Sequence, residues 1–483
     1  MKNYYKNKNF EKFYLLIIIS LSANLLSLNF STGETMYLGR IMKSKSSFSA
    51  YMGDSHLVLF NFLAKSIYEI GLNLKLVLNL IACLWMLFLI LRLKEIFGFD
   101  GTQTLIFTLL FLNFQSFFGA EFYFGSIEGK VFSYLSLFTA FLYAFQSNIV
   151  KSFIFYVLSF YFHASVAFAS FPVLIAILLI KLKFKLILKI GLIFFLISLP
   201  NLYYLIISNF DTSMSEYEQD EMLKFLITER LPHHLYPFSE QTNNFFSINQ
   251  EWIPGFVFMT LLTLLNILIF VFYKSTNSNA NNISRVVTFS LLIFWIYVLI
   301  VWFFPISKFV IAYPFRITTS IVFFTYLYFC LIKKELKIKY QEFFEKTGIL
   351  FLILLTINLS YTNYQSQNFS NNNHISLENT LIKMSPEIVF LPNYDLGSKN
   401  SYLNSLEIKT NIPIYATYKF NTFFVKDTKD WKERLDKLEN FYFENCEIFE
   451  DFENYVFIDY KPKNICGNLI GKYGDYFLFE KTN

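Results

Sequence analysis

FIFYVLSFYFHASVAFASFPVLIAILLIKLKFK, residues 153–185, is the stretch that decides the fold. It is almost wholly apolar up to Lys181, and His163 interrupts it near the middle. A membrane helix needs ~20 apolar residues, and lysine clusters mark the cytoplasmic side of a bilayer. The stretch therefore predicts two spans, 153–168 and 169–180, with His163 at an outer turn. One broken helix over 153–180 is the alternative.

The same alternation of apolar runs and basic turns continues along the chain. It predicts eleven membrane-spanning helices, at 13–30, 72–93, 105–119, 131–146, 153–168, 169–180, 190–207, 256–273, 286–304, 317–332 and 348–361. With the basic turns inside, the N-terminus is cytoplasmic and residues 362–483 are outside. A signal peptide cleaved near Ala23 is the alternative for the first run, but its length fits a span better.

Composition supports a polytopic α-helical membrane protein. The chain has 483 residues, of which 54% are hydrophobic and 20% aromatic, and this excludes an ordinary soluble domain. The net charge of +5 arises from the basic turns and is what a topology signal produces. No nucleic-acid partner is implied, and membrane lipids are the expected surroundings.

The predicted spans divide the chain into three parts. Residues 1–361 form a transmembrane domain with large outer loops at 31–71 and 208–255, 362–386 form a linker, and 387–483 form a small extracytoplasmic α/β domain. Within the first loop, residues 56–70 carry a narrow polar stripe that favours a helix lying on the membrane surface; a further transmembrane helix is the alternative.

The C-terminal part shows short apolar runs typical of strands around one helix. Strand-like runs occur at Ile388–Leu391, Ile412–Tyr415, Tyr455–Asp459 and Tyr476–Phe479, and Thr428–Asn440 is predicted to be helical. Cys446 and Cys466 are the pair of cysteines in this polar region. An oxidising exterior permits a disulfide between them, whereas Cys83 and Cys330 lie within apolar runs.

Two carboxylates in the first outer loop are candidates for catalysis. Glu34 directly follows the first predicted span, where it can act as a general base on a hydroxyl or bind a cation. Asp54 lies twenty residues further along the same loop, and it can equally cap the helix that follows. For Glu34 a solvated loop carboxylate is the alternative.

Other polar residues fall at the same predicted outer level. Glu121, Glu128 and Lys130 lie between two apolar spans, where charges are costly unless paired or facing water. Glu128 and Lys130 could form a structural ion pair, or Lys130 could attract a phosphate. His163 is either a buried core residue or a ligand.

Two arginine-containing segments complete the set. Arg230-Leu-Pro-His233-His234 joins an arginine, which can clamp a phosphate, to two imidazoles. Arg316 precedes the span at 317–332, where it could hold a lipid-linked phosphate or anchor the helix to headgroups. No Walker loop, GxSxG elbow or HExxH motif occurs in the sequence, which argues against ATP-driven transport and zinc proteolysis.

Together these features resemble the GT-C class of integral membrane glycosyltransferases, and more closely a group of bacterial multi-spanning proteins of GT-C-like appearance. The residues that carry the resemblance are Gly33-Glu34, Tyr37-Leu38, Gly125, Glu128-Gly129-Lys130, His163, Arg230, Pro232-His233-His234 and Trp431-Lys-Glu-Arg434. The resemblance implies transfer of a sugar from a polyprenyl-phosphate donor to a cell-envelope glycan, lipid or protein acceptor at the outer face of the bacterial inner membrane.

The resemblance also suggests roles for the candidate residues. Glu34 would be the general base, with Asp54 as the substitute. Lys130, Arg230 and Arg316 would neutralise the donor phosphate, while Glu128, His163, His233 and His234 would complete the substrate site. No cofactor is certain; a divalent metal is compatible with the site, but no ligand cluster requires one. A transporter of lipid-linked glycan and a non-catalytic scaffold are the rival functions.

Overall fold

The computed structural model describes most of the chain after residue 57. The described residues are 58–115, 128–209, 214–227, 236–238, 248, 250–273, 275–304, 306–310, 312–333, 335, 341–368, 372–391, 401–410, 412–416, 425–442, 452–461 and 466–481. All structural statements below concern these residues.

The described elements are mainly helices, followed by a small sheet. The helices are α1 Val58–Glu69, α2 Leu74–Phe97, α3 Gly101–Asn113, α4 Gly129–Phe145, α5 Ile149–Phe162, α6 Ala164–Lys181, α7 Phe184–Asn209, α8 Glu216–Phe225, α9 Ile253–Phe272, α10 Ser278–Phe303, α11 Ser307–Val310, α12 Ile317–Ile332, α13 Gln341–Asn368, α14 Asn372–Met384, α15 Ser401–Thr410 and α16 Val425–Tyr442. The strands are β1 Ile388–Phe390, β2 Tyr455–Asp459, β3 Gly467–Tyr473 and β4 Tyr476–Lys481.

The apolar helices agree with a membrane location. Five described helices are long and apolar enough to cross a bilayer, and five more apolar helices are shorter. They overlap the predicted spans from 72–93 onward, but the predicted boundary between 153–168 and 169–180 falls inside α6, because the helix break lies at His163. The predicted span 13–30 lies outside the described residues. The mostly helical class with a C-terminal sheet is thus confirmed, while the total of eleven spans stays a prediction.

Two observed helix ends differ from the ends of the predicted spans, and capping residues explain both differences. The span predicted at 105–119 is the helix Gly101–Asn113, because Asp100 and Gln103 form a capping box at its start. Similarly, α2 continues to Phe97 and stops at Gly98, whose φ of 66° is a left-handed conformation that glycine adopts without strain.

The stretch 153–185 contains two helices that fold back on each other. Only His163, in an extended conformation with φ −163° and ψ 98°, separates α5 from α6. The Tyr156 hydroxyl donates to the carbonyl of Ala167 at 3.1 Å, and the rings of Tyr156 and Phe171 are 5.5 Å apart. These contacts across the join favour two antiparallel helices over one broken helix.

Aromatic stacking and serine hydrogen bonds hold the helix bundle together. Helices α4 and α12 are buried along nearly their whole length, and Phe138 stacks on Phe323 with ring centroids 4.2 Å apart. Between α4 and α5, Ser136 donates to the Phe155 carbonyl at 2.7 Å and Ser152 to the Ala140 carbonyl at 2.9 Å. Small polar residues of this kind allow close helix packing in an apolar medium.

Helix α1 corresponds to the polar-striped segment of the first loop. It has 12 residues, so it is about 18 Å long and too short to cross a bilayer. Phe60, Ala64 and Ile67 form its buried face, while Lys65 and Glu69 pair at 3.8 Å on the exposed side. This geometry favours the surface-lying interpretation over a further transmembrane helix.

The C-terminal sheet has four strands in the order β1-β2-β4-β3. β1 runs parallel to β2, and β4 is antiparallel to both β2 and β3. The predicted strand at 412–415 is reduced to one bridge, between Ile414 and Val389. β3 was not predicted, because its alternating pattern is interrupted by Gly467 and Gly471.

The predicted linker at 362–386 is largely helical. It contains the end of α13 and all of α14. Leu377 and Leu381 of α14 are fully buried in the same core as Val389 and Ile458, and the Tyr473 hydroxyl donates to Thr380 Oγ1 at 3.0 Å. The α/β domain therefore begins before residue 387. The polar sequence of residues 362–386 suggested a linker because α14 is amphipathic and buries only one face.

Candidate functional site

The described candidate residues all lie at one end of the helices that carry them. Glu128 and Lys130 are at the start of α4, His163 joins α5 to α6, and Arg316 immediately precedes α12. The opposite ends of these helices carry lysines, at Lys151, Lys181 and Lys333. This separation of candidate residues from basic turns is the arrangement that the sequence predicts.

Arg316, His163 and Ser165 form a buried cluster, called here the Arg316 cluster. Nη1 of Arg316 lies 3.2 Å from Nδ1 and 3.3 Å from Nε2 of His163. It also donates to Ser165 Oγ, which is 3.1 Å from His163 Nδ1. Arg316 is 7% exposed and His163 is 5% exposed, so this guanidinium is enclosed by protein.

Local backbone geometry places the Arg316 side chain. Pro314–Arg316 is a single 3-10 turn that packs against α6. Tyr313 before it has φ 56° and ψ 55°, a left-handed conformation that is costly for a bulky residue. The guanidinium carbon of Arg316 is 4.0 Å from the centroid of the Tyr313 ring, within cation–π distance.

Phe315 fixes the opposite side of the same turn. Its ring lies 5.7 Å from that of Trp252 and 6.2 Å from that of Phe294, both edge-on. Trp252 is 2% exposed and directly precedes α9. The turn is therefore held by aromatic contacts to α9 and α10, while Arg316 faces α6.

Glu128 and Lys130 form a second charged group, at the start of α4. Lys130 Nζ lies 3.3 Å from Glu128 Oε2, and both side chains are largely buried. Along α4, the Ser133 hydroxyl is 2.9 Å from the Ser159 carbonyl and 3.3 Å from the His163 carbonyl. The start of α4 is thus joined to the His163 turn through Ser133. Glu128 and Lys130 thus form an ion pair, and the attraction of a phosphate by Lys130 stays a prediction.

Several predicted site residues cannot be placed. Glu34, Asp54, Glu121, Arg230, His233, His234 and Cys446 lie outside the described residues. Cys466 is buried and disulfide-bonded; its pairing with Cys446 stays a prediction. Within the described ranges, no group of three His, Cys, Asp or Glu side chains is arranged to hold a metal ion.

Three polar residues of the site were not assigned roles from the sequence. Ser165 contacts both His163 and Arg316, Ser133 links α4 to the His163 turn, and Tyr313 supports the guanidinium. Ser165 offered a signal, since it is polar and two residues from a histidine within an apolar run. Ser133 offered none, because serines at helix interfaces are common in membrane proteins.

The Arg316 cluster has the chemistry of an anion site. A guanidinium presents five N–H donors and no acceptor. A planar fork of donors matches a phosphate, and Lys130 supplies a second cation at the same end of the bundle. In a low-dielectric setting such groups stabilise negative charge far better than in water.

A single carboxylate with several hydroxyl partners, Glu335, follows α12 at the opposite end of the bundle. Its oxygens accept hydrogen bonds from the hydroxyls of Tyr273 at 2.7 Å, Ser275 at 2.8 Å and Thr276 at 2.8 Å. The pKa of Glu335 is lowered to about 2, first by the Tyr273 hydrogen bond. Glu335 thereby ties the α9–α10 turn to the end of α12.

Comparison with known proteins gives distant structural likenesses, two of which are described here. No protein-family model matches the chain, and no curated protein matches its sequence. The structure is similar to that of ArnT from Cupriavidus metallidurans in the apo state, with 9% identity, 98% of each chain covered and a TM-score of 0.46. It is also similar to the Archaeoglobus fulgidus oligosaccharyltransferase tethered with an acceptor peptide, with 12% identity, 94% of this chain and 69% of that chain covered, and a TM-score of 0.42. At these TM-scores the likenesses do not establish the fold class or the activity.

Proposed function

We propose that the chain is an integral membrane glycosyltransferase of GT-C type. It transfers a sugar from a polyprenyl-phosphate-linked donor to a cell-envelope glycan, lipid or protein acceptor. The reaction takes place at the extracytoplasmic face of the bacterial inner membrane. Two findings support the proposal: the sequence resembles the GT-C class, and the candidate site lies at the helix ends opposite those that carry the lysines.

One observation carries the proposal. A buried arginine, Arg316, is held against His163 and Ser165 at a helix start, although nothing in simple helix packing requires a charge there. Buried charges in membrane helices are costly and mark sites of function. A lipid-linked phosphate is the ligand that this guanidinium and a lysine at the same end of the bundle suit, because its charge lies at the membrane boundary.

The proposed mechanism assigns separate tasks to the residues. Arg316 and Lys130 stabilise the charge that develops on the departing polyprenyl phosphate. His163 and Ser165 orient the guanidinium, and Glu128 holds Lys130. Glu34, or Asp54 in its place, takes the proton of the acceptor hydroxyl as it attacks the sugar carbon. Arg230, His233 and His234 bind the rest of the donor.

Complementation of a deletion strain tests the proposal. The unmodified gene should restore surface glycan, and the strain without it should accumulate lipid-linked sugar. Arg316→Ala should lower glycan output by about 10²-fold or more at unchanged protein level, the size expected for loss of a charge-stabilising donor. Arg316→Lys keeps the charge but loses the two-pronged geometry, so it should recover only part of the output.

Arg92→Ala is the matched control. Arg92 lies near the end of α2 and pairs with Glu95, on the far side of the bundle from Arg316, so its loss should leave glycan output near normal. Normal output from Arg316→Ala would reject the phosphate-binding role.

A phosphatase fusion at Asn483 tests the orientation of the chain in the membrane. Strong phosphatase activity is expected, because the enzyme would lie outside the cytoplasm. A cytoplasmic C-terminus would contradict the extracytoplasmic site.

A further inference from the structure

Helix α8 contacts both the membrane bundle and the C-terminal domain. Phe225 packs on Trp431 of α16 with ring centroids 6.0 Å apart, at the edge of the C-terminal core. The next two residues, Leu226 and Ile227, are 1% and 4% exposed and belong to the core of the membrane bundle. Three consecutive residues thus enter two different hydrophobic cores.

Charges and caps hold α8 in this position. Glu218 lies 3.7 Å from Lys429 of α16, and Lys432 Nζ lies 5.1 Å from the centre of the Phe225 ring. Ser215 and Glu218 form a capping box at the start of α8, which fixes where the helix begins. The contacts with α16 come from both ends of α8, so the helix is held in one orientation on the C-terminal domain.

From α8 a short series of contacts leads to Arg316. α8 also packs on α11, whose last residue Val310 is 1% exposed. The Tyr313 amide donates to the Val310 carbonyl at 3.0 Å, and the Arg316 amide donates to the Tyr313 carbonyl at 3.1 Å. Two successive hydrogen-bonded turns thus connect α11 to the Arg316 backbone.

We infer that α8 is a positioning element through which the C-terminal domain fixes the Arg316 cluster. Phe225 and Trp431 are positioning residues in this sense: they touch no substrate, but their packing sets where α11 and the following turn lie. The site in the membrane bundle then reaches its geometry only while the C-terminal domain is docked. The effect on sugar transfer rests on the proposed function of Arg316. The structural coupling between the C-terminal domain and the Arg316 cluster does not depend on that function.

Amide hydrogen exchange on the purified full chain in detergent tests the coupling. Phe225→Ala should speed exchange by about tenfold or more in peptides covering residues 214–227 and also in those covering 307–316. Phe225→Leu, which keeps most of the apolar volume, should behave nearly as the unmodified chain. Tyr217→Ala is the control on the same helix, since Tyr217 is 78% exposed and its loss should change neither region.

Exchange that rises only in 214–227 and 425–442 would overturn the inference, because α8 would then be a local contact alone. If Phe225→Ala shows the exchange response while Arg316→Ala keeps normal glycan output, the coupling stands and the proposed function of Arg316 fails.

Discussion

Nη1 of Arg316 lies almost equally far from both ring nitrogens of His163, at 3.2 Å from Nδ1 and 3.3 Å from Nε2, although 153 positions separate the two residues. A single guanidinium nitrogen is therefore in contact with both nitrogens of the same imidazole ring. The two side chains form one unit.

This relationship predicts that substitutions of the two residues are not additive. His163→Ala and Arg316→Ala should each lower the rate of sugar transfer by about 10²-fold. The double variant should transfer sugar at a rate within about twofold of that of the less active single variant. The measurement is transfer of lipid-linked sugar in isolated membranes. His163→Ala combined with Arg92→Ala is the comparison pair, and its effects should simply multiply. Multiplying losses for His163 and Arg316 would show that they act separately.

The sequence predicts the helices well because their physical causes are local. Apolar runs of span length between lysine turns determine where helices such as α6 and α12 occur. Capping residues explain the shifts at Asp100 and Gly98. In the C-terminal domain local reasoning failed at β3, where glycines break the alternation and pairing with β4 provides the stability.

For the site, the sequence predicts which residue types are present and at which end of the helices they lie, but not which side chains contact each other. Topology alone placed His163 and Arg316 at the same end of their helices. Their direct contact depends on the left-handed conformation of Tyr313 and on α6 packing against the turn at Arg316. Neither feature has a local signature, since left-handed tyrosines are rare and the packing partner is 153 positions away.

Phe323→Ala should destabilise the bundle strongly. Phe323 is fully buried and stacks on Phe138 at 4.2 Å, so truncation leaves a cavity that costs about 3–5 kcal/mol. The thermal midpoint in detergent should fall by roughly 5–10 °C. A thiol-reactive dye that reports exposure of the buried free cysteine Cys330 provides the measurement.

Phe272→Ala is the matched control for Phe323. Phe272 is 80% exposed, so its truncation opens no cavity and should shift the midpoint by no more than about 1 °C. Equal shifts for the two variants would mean that the stacked rings do not form the core of the bundle.

Glu335 should make one end of the bundle sensitive to acid. Its folded-state pKa of about 2 is below the ordinary value of 4.5. The stabilisation is therefore present above pH ~4.5 and is lost as the pH falls from there towards 2. The difference in thermal midpoint between the unmodified chain and Glu335→Gln should be largest near pH 6 and shrink steadily below pH ~4.5.

Glu95→Gln is the comparison for Glu335, since Glu95 is an exposed partner of Arg92. Such surface pairs contribute little to stability, so its midpoint should follow that of the unmodified chain at each pH. A Glu335→Gln difference that stays constant from pH 6 to pH 3 would contradict the hydrogen-bonded carboxylate.

Cys446 and Cys466 should form a disulfide that closes a loop of about twenty residues and stabilises the C-terminal domain by ~3 kcal/mol on the chain-entropy estimate. Non-reducing mass spectrometry of tryptic peptides should find the two linked, with Cys83 and Cys330 alkylated as free thiols. Free thiols at Cys446 and Cys466 after oxidative folding would remove the pairing.

The general base is predicted to be a carboxylate of the first outer loop. Glu34→Gln keeps the shape of the side chain and removes its basicity, so glycan output should collapse by about 10²–10⁴-fold while the protein level is unchanged. Asp54→Asn should have a smaller effect if Glu34 is the base, and the larger effect if the roles are exchanged. Glu69→Gln is the matched control, because Glu69 is an exposed residue of α1 whose partner is Lys65. Normal output from both Glu34→Gln and Asp54→Asn would reject the enzyme in favour of a non-catalytic membrane scaffold.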